Sequence, residues 1–461
     1  MFKCHPIYCP KHRLINLKTF NCEDFAKFFK LDFVRILKML DISFIRQHRD
    51  AVETELKNRG KDVKLVNKLL DLDTDKRNLI YKIDQIRSGQ NKISRLLKGK
   101  PDTDTITKGK LLKNQLKDLE EKLKKVDQQI NPLLRSIPNI SADDVPIGID
   151  DNDNLVIKTV GQKPNFDFSP KDHVDLGHSL DIIDVKKASQ VSGARFGYFK
   201  NQAAVLEMSL MFYALQKLVS KGFIAMIPPA MIKSSIEDKM GYTSNDNLKD
   251  AYYLSEKDDL VFISSSEHSV VPYHLDEVID PKKLPLKYVN FSPCFRRESG
   301  TYGKDTRGLF RVHFFNKVEM NIFTIPDTSI SDTICLEMLS IQEEIVSELG
   351  LHYQVMNCCT GDLPQPNRRM YDINTWFPGQ NKYRETHSCS NCTDYQARRL
   401  NTKTKINGKS QYVHILNATV ATDRLVLAIL ENFQTKDGHI NIPKALWPYT
   451  NFKTIDSLAQ N

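Results

Sequence analysis

Two tryptophans and nine cysteines in 461 residues, and no uninterrupted apolar run near the roughly 20 residues that a membrane-spanning helix needs, set the first limits. The missing run means that no membrane partner is expected. Nine cysteines are too few for a disulfide scaffold, and the odd number fits a reducing compartment, so a cytoplasmic location is expected. An organellar matrix is the alternative if residues 1–38 are a presequence. That leader is basic and aromatic but lacks a signal peptide's apolar core, and Glu23 and Asp24 speak against a presequence. Cys389 and Cys392 form a Cys-x-x-Cys pair, and Cys4, Cys9 and His12 have loose metal-like spacing. Zinc sites need about four well-spaced ligands, so ordinary thiols are expected in both places. Neither Gly-x-Gly-x-x-Gly nor a Walker loop occurs, which excludes the two most familiar phosphate cradles.

What is present begins with enough apolar residues (40%, 9% aromatic) for a sizeable core spread over about two to three domains. Lys and Arg number 66 against 57 Asp and Glu, a net +9. Residues 1–39 carry +5 of this and residues 82–125 carry +7, leaving the remainder at −3. Along the second basic stretch, Leu69, Leu72, Leu79, Ile83, Ile86, Ile93 and Leu97 recur in steps of three and four. Leu112, Leu116, Leu119, Leu123, Val126, Ile130, Leu133 and Ile137 repeat the pattern after Gly99, Pro101 and Gly109. The spacing predicts two long helices pairing as an antiparallel coiled coil. Lys92, Arg95, Lys98, Lys100, Lys108, Lys110 and Lys113 gather near its tip. Such a hairpin reads equally as a spacer with solvated lysines or as a cationic arm for a phosphate backbone.

Ser141 to Asn154, rich in Asp, Gly and Pro, reads as part of a linker over 141–164. A mixed pattern follows over 165–461: a helix over Ala204–Val219, strands at Leu260–Ser264, Leu286–Phe291, Phe310–Phe315 and Lys317–Phe323, then helices at Ser331–Leu349 and Arg424–Phe433. Strands with few helices of crossover length predict an α+β antiparallel domain behind the helical arm of residues 39–140.

The densest chemistry lies in Cys294-Phe-Arg-Arg-Glu-Ser-Gly-Thr-Tyr-Gly-Lys-Asp-Thr-Arg-Gly-Leu-Phe-Arg-Val-His-Phe-Phe-Asn-Lys-Val-Glu-Met320. A hairpin here would bring Arg296 and Glu298 near Arg311, Phe315 and Glu319: guanidinium forks for phosphates, an aromatic face for a base, and carboxylates for a metal or an ammonium. A surface hairpin with ordinary salt bridges is the plainer reading of the same residues.

This run resembles motif 2 of the class II aminoacyl-tRNA synthetases, in the form found in seryl-tRNA synthetases. Gly222-Phe-Ile-Ala-Met-Ile-Pro-Pro229 resembles motif 1. Thr360-Gly-Asp362 and Tyr383-Arg-Glu-Thr-His-Ser-Cys-Ser-Asn-Cys-Thr-Asp-Tyr-Gln-Ala-Arg-Arg399 resemble further family signatures. Leu416-Asn-Ala-Thr-Val-Ala-Thr-Asp-Arg424 resembles motif 3. The resemblance covers about Met39 to Pro448, where members commonly begin near a segment like Met39-Leu-Asp-Ile-Ser-Phe-Ile-Arg46, so residues 1–38 stand as an extension or a misassigned start.

The resemblance implies a homodimer that joins L-serine to ATP as seryl-adenylate and passes the seryl group to tRNA(Ser), with tRNA(Sec) as a second acceptor. It implies ATP and Mg²⁺ as cofactors. Arg296 would hold the α-phosphate and serine carboxylate, Glu298 the adenine amino group, Phe315 the ring and Arg424 the γ-phosphate, with Arg311 also on the nucleotide. Glu385 and Ser388 would hold Mg²⁺. Glu319 would take the serine ammonium, with Ser265, Asn417 and Thr419 completing the pocket. Lys92, Arg95 and Lys98 on the arm, and Lys304 and Arg307 in the motif 2 loop, would meet tRNA. Four departures stand out. Ser265-Ser266-Glu267 replaces Thr-x-Glu, and Phe314 replaces a common Gln. Asn417 to Arg424 spans seven steps instead of eight, and Asp423 precedes the arginine. The lost residue would turn Arg424 by about 100° unless the turn absorbs it. The rival reading is a tRNA-binding paralogue with weakened adenylation.

Overall fold

The computed structural model describes residues 42–96, 103–241, 250–255, 257–299 and 308–456. Residues 1–38, Lys98, Lys100, Lys304 and Arg307 therefore lie outside the described residues, as do Cys4, Cys9 and His12.

Two short helices, α1 (Ile42–Gln47) and α2 (Arg49–Asn58), precede the long pair α3 (Lys64–Leu96) and α4 (Thr103–Ser136). Lys76 pairs with Asp127 at 2.7 Å and Arg87 with Glu120 at 3.0 Å. Gly89 faces Leu112 and Gly109 faces Ile93. As one number rises its partner falls, so the hairpin is antiparallel, as the seam spacing predicts. Gly109 does not end a helix. It sits inside α4 facing Ile93, and the helix continues through it despite the roughly 1 kcal/mol that glycine costs in a helix.

The arm is locked to the body at its root. Ile45, Val52, Leu56, Val66, Leu69, Ile130 and Ile137 pack together with Tyr395 of the catalytic domain. Arg59, buried just beyond α2, binds the Glu55 carboxylate and donates to the carbonyls of Asn139 (2.9 Å), Leu363 (3.2 Å), Pro364 (3.1 Å) and Asn367 (2.7 Å). Asn139 in turn donates to the Pro366 and Cys392 carbonyls, both at 2.9 Å. The stretch read as linker is docked too, since the Ala142 amide bonds to the Arg368 carbonyl.

Eight strands form the main sheet: β1 (Leu155–Val160), β2 (Ile224–Met226), β3 (Leu286–Phe295), β4 (Phe314–Thr324), β5 (Tyr353–Asn357), β6 (Arg369–Phe377), β7 (Lys382–Thr393) and β8 (His414–Thr422). Their spatial order is β1-β5-β6-β7-β8-β4-β3-β2, antiparallel throughout except β2 beside β3. Two expectations need correction. Within the supposed linker, Leu155–Val160 pairs with β5 as an edge strand, a β-branched run masked by the Asp-rich residues before it. The strand expected at Phe310–Phe315 starts only at Phe314 and runs unbroken to Thr324. The residues before it are tied down irregularly, Leu309 to His173 and His313 to Arg195.

Helices α5 (Asn201–Ser220), α6 (Ser234–Met240), α7 (Thr328–Glu348) and α8 (Asp423–Asn432) complete the elements used below. Leu206 and Leu210 of α5, Met338 of α7 and Leu427 of α8 share one core with Val318, Met320 and Ile322, alternate residues of β4 that face the same side. By length and composition α5 is apolar enough to cross a membrane, but half of its apolar window is buried in this core. Cys389 and Cys392 are buried thiols. Cys389 Sγ lies 3.7 Å from Cys335 Sγ, and Cys392 donates to Asn367 Oδ1.

Arg59→Met would strip three buried carbonyls and one half-buried carbonyl of a donor and leave the buried Glu55 carboxylate without its cation. We expect a loss of about 3 kcal/mol in urea unfolding, with the arm root becoming the first site of limited proteolysis. Unchanged stability would contradict the docking described above.

Candidate active site

With Val318 and Met320 committed to the core, the residues between and beside them, Phe315, Lys317 and Glu319, fall on the opposite face of β4. Cross-strand register then gathers the site. Phe315 stands opposite Cys294 at the end of β3, so Arg296 follows just beyond it, and Glu319 stands opposite Thr419 of β8. Asn417 pairs with Ser390 of β7, two residues beyond Ser388. One cavity results, lined by Arg296, Glu298, Arg311, Phe315, Lys317, Glu385, Ser388, Thr419, Asp423 and Arg424. Every residue expected on the nucleotide is among them.

The cavity's charges are paired across it. Arg311 reaches Glu298 Oε2 at 3.0 Å, and Glu298 holds a left-handed backbone with φ 52°, a conformation costly for a non-glycine residue. Arg296 donates from Nε to the Ser264 carbonyl at 3.2 Å, and its guanidinium lies 5.1 Å from the Phe315 ring centre. Arg424 donates to both the carbonyl and Oε2 of Glu385, each at 2.9 Å, and stacks 4.5 Å from the Phe310 ring centre. The crowded wall disfavours charge on Glu385, but Arg424, then Arg296 and Arg311, reverse this and hold its carboxyl below the usual range.

Deeper in, Glu319 is buried and saturated. Lys317 Nζ donates to Oε1 at 2.8 Å, while Oε2 accepts from the hydroxyls of Ser265 (2.7 Å) and Ser266 (2.6 Å) and from the Glu267 amide (3.2 Å). Burial alone would raise its pKa. The Lys317 ammonium first, then the two hydroxyls, more than offset this and leave the carboxyl below its ordinary value. The stabilisation this brings is present at neutral pH and is lost as pH falls through that lowered value. Lys317 closes the motif 2 run with Val318 and Glu319 but has no role in the expected site, yet its spacing marks it: it sits two residues before Glu319 and two after Phe315, hence on the same strand face. Asn417 is buried on that face with an Nδ2 that has no partner.

The shortened motif 3 does not displace Arg424. The β8–β4 register shifts between Thr419 and Ala421, leaving Val420 as the extra residue of a bulge. Thr422 then caps α8 by accepting from the Arg424 amide, and Arg424 reaches the cavity. Asp423 turns out differently from its expectation as a charge beside a phosphate. Its Oδ1 accepts from the Asn316 amide at 3.2 Å, and Asn316 also donates to Glu207 Oε1 at 2.6 Å, placing two carboxyl groups together. Burial first, and the neighbouring Glu207 next, push the Asp423 acid well above the usual range, which favours its uncharged form.

An antiparallel sheet carrying a Phe-Arg-x-Glu strand end and a strand-to-helix arginine defines the class II aminoacyl-tRNA synthetase fold. Residues 250–433 match the class II core domain of the synthetases for G, H, P, S and T, and residues 39–141 match the seryl-tRNA synthetase N-terminal domain. The serine–tRNA ligase of Pyrococcus horikoshii is 40% identical over 447 residues, covering 90% of this chain and 97% of that protein. That of Borreliella burgdorferi is 41% identical over 426 residues, covering 90% and 99%. The crystal structure of the seryl-tRNA synthetase from Pyrococcus horikoshii complexed with ATP superposes with a TM-score of 0.85 at 38% identity, over 91% of this chain and 100% of that one. The cytoplasmic serine–tRNA ligase from Naegleria fowleri in complex with AMP gives 0.81 at 31%, over 92% and 100%. The chain belongs to the seryl-tRNA synthetase family, whose members are ATP-dependent serine–tRNA ligases.

Arg424→Ala should cost roughly 10²–10³ in the rate of ATP-dependent activation, the scale of losing one preorganised charge donor. Stopped-flow or exchange kinetics on the folded variant would read this. A change of less than a few-fold would remove Arg424 from the nucleotide site.

Proposed function

We propose that the protein attaches L-serine to the 3′ end of tRNA(Ser) in two steps, with the cavity beneath β4 as the site of activation. The observation that carries this reading is the placement of Arg296, Phe315, Lys317 and Arg424 around one cavity, with Glu319, next along the same face of β4, bound to Lys317 just behind the lining. In the first step the serine carboxylate attacks the α-phosphate of ATP and pyrophosphate leaves. Phe315 stacks on the adenine and Glu298 accepts from its amino group. Arg296 bridges the α-phosphate and the serine carboxylate, and Arg424 and Arg311 balance the charge of the leaving phosphates. Glu319 receives the serine ammonium, while Ser265, Asn417 and Thr419 pair with the serine hydroxyl. A site that pairs with that hydroxyl rejects alanine strongly, because its own polar groups would otherwise stay unpaired.

The all-oxygen donor pair of Glu385 and Ser388 fits Mg²⁺ by chemistry, and a half-open Glu385 side chain on the cavity wall has room for it. When bound, the ion would supply charge neutralisation on the phosphates. Arg424 reaching the cavity from the helix behind the bulge, and an Asp423 acid pushed well above its usual range, favour an active enzyme over the paralogue with weakened adenylation.

The arm is the proposed tRNA partner surface. Lys92, Arg95, Lys108, Lys110 and Lys113 are all exposed near its far end, a cationic strip suited to an RNA backbone. A homodimer is proposed from α5, whose Val205, Met208, Phe212 and Val219 form an exposed apolar stripe next to Ile224 and Ile227, 51% and 79% exposed. A reducing, cytoplasmic location suits the unpaired thiols at all six described cysteines.

Purified protein should charge tRNA(Ser) with serine, and tRNA(Sec) is tested in the same assay. Replacing Lys92 and Arg95 by Gln should weaken tRNA binding and reduce the log–log salt slope by about 1 for each phosphate no longer neutralised, leaving serine activation intact. Unchanged affinity at low salt would reject the arm as the RNA-binding surface.

A further inference from the structure

The segment from Ser264 to His268 touches both halves of the site described above. Its first carbonyl, on Ser264, accepts from Arg296 Nε, and the adjoining Ile263 carbonyl accepts from the Phe295 amide at 2.9 Å. Its middle wraps Glu319 through the Ser265 hydroxyl, the Ser266 hydroxyl and the Glu267 amide. The segment therefore sets the distance between the arginine that meets the carboxylate and phosphate and the glutamate that meets the ammonium.

What holds this segment from behind is His268. It is buried, at 4% exposure, and both ring nitrogens are engaged. Nδ1 lies 2.7 Å from Oε2 of Glu237, itself buried on α6, and Nε2 lies 3.3 Å from the Ser264 hydroxyl. The His268 amide also donates to the Ser265 carbonyl at 3.1 Å. One side chain thus ties the two ends of the segment together and fastens them to a helix outside the sheet. Neither His268 nor Glu237 lines the cavity.

We propose that His268, oriented by Glu237, is a positioning residue for serine: it fixes the Ser264–Glu267 turn and so couples the Glu319 pocket to Arg296. The inference rests on the serine-activating reading of the site. It also fits the charges around the ring. Burial works against a charged imidazole, while Glu237 and then Glu267 favour it and Lys317 opposes it. The net direction is upward, so His268 keeps its proton above the pH at which a free histidine loses it, and the protonated Nε2 donates to Ser264.

The test uses the full-length protein in serine-dependent ATP–pyrophosphate exchange. His268→Ala should raise KM for serine about tenfold while KM for ATP moves less than about twofold, since Arg296 is the one nucleotide partner this segment touches and the adenine and outer phosphates are met by Phe315, Glu298, Arg311 and Arg424 on other elements. His268→Gln, which keeps a donor towards Ser264, should recover most of the serine KM. Glu237→Gln should leave the enzyme folded with a serine KM that climbs at lower pH than in wild type, because the proton on His268 loses its support. If His268→Ala does not fold, His268→Gln and Glu237→Gln carry the test alone. Wild-type exchange with serine KM unchanged in all three variants would overturn this inference while leaving the proposed function intact. No exchange in wild type would overturn the proposed function itself. Equal rises in both KM values, or a fall in kcat alone, would make His268 a general structural residue and also reject the proposal.

Discussion

The site depends on a buried carboxylate kept charged before any substrate arrives. Glu319 and Lys317 have side chains only 3% and 6% exposed, and removing two opposite charges from water costs several kcal/mol unless geometry and further hydrogen bonds compensate. Here they do: one oxygen takes the ammonium and the other takes two hydroxyls and an amide. That arrangement explains why Ser265 and Ser266 are adjacent, why the turn carrying them is held rigidly, and why Lys317 precedes Glu319 at the spacing of one strand face. In the reaction proposed above, a substrate ammonium reaching Glu319 would meet an anion already balanced by Lys317, so binding and charge balance are linked through a single pair.

The same rule organises the outer cavity. Arg424 rests on Glu385 and Arg311 on Glu298, so both guanidiniums have partners within the protein. In the proposed reaction a nucleotide would exchange these internal partners for phosphate oxygens, which keeps the cost of the free state low. Asp423 would upset that balance as an anion. Its burial beside Glu207 pushes the Asp423 acid well above the usual range, towards the uncharged form.

Much of this was legible in the sequence. The arm was, because a seam of leucines and isoleucines at steps of three and four leaves few alternatives to a helical hairpin, and the two strands around Phe291 and Phe323 were visible as apolar runs. The nucleotide residues came from the motif resemblance, and they converge on one cavity. Other features depend on residues far apart in the chain. Arg59 holds carbonyls some 300 positions later, Glu237 meets His268 across 31, and the Asp423 acid is raised by burial and by Glu207 on another helix. The bulge at Val420, just ahead of the helix that carries Arg424, is a register effect that no residue type announces. Gly109 and the Asp-rich stretch before β1 misled for the opposite reason: local composition signalled a break that packing overrides.

Serine-dependent exchange of pyrophosphate into ATP by the purified, folded protein tests the central claim most directly, because it requires the Glu319 pocket and the arginine-lined cavity to act together without tRNA. The structure predicts exchange that depends on serine and is not supported by alanine. Background exchange with serine, or equal exchange with alanine, would contradict it.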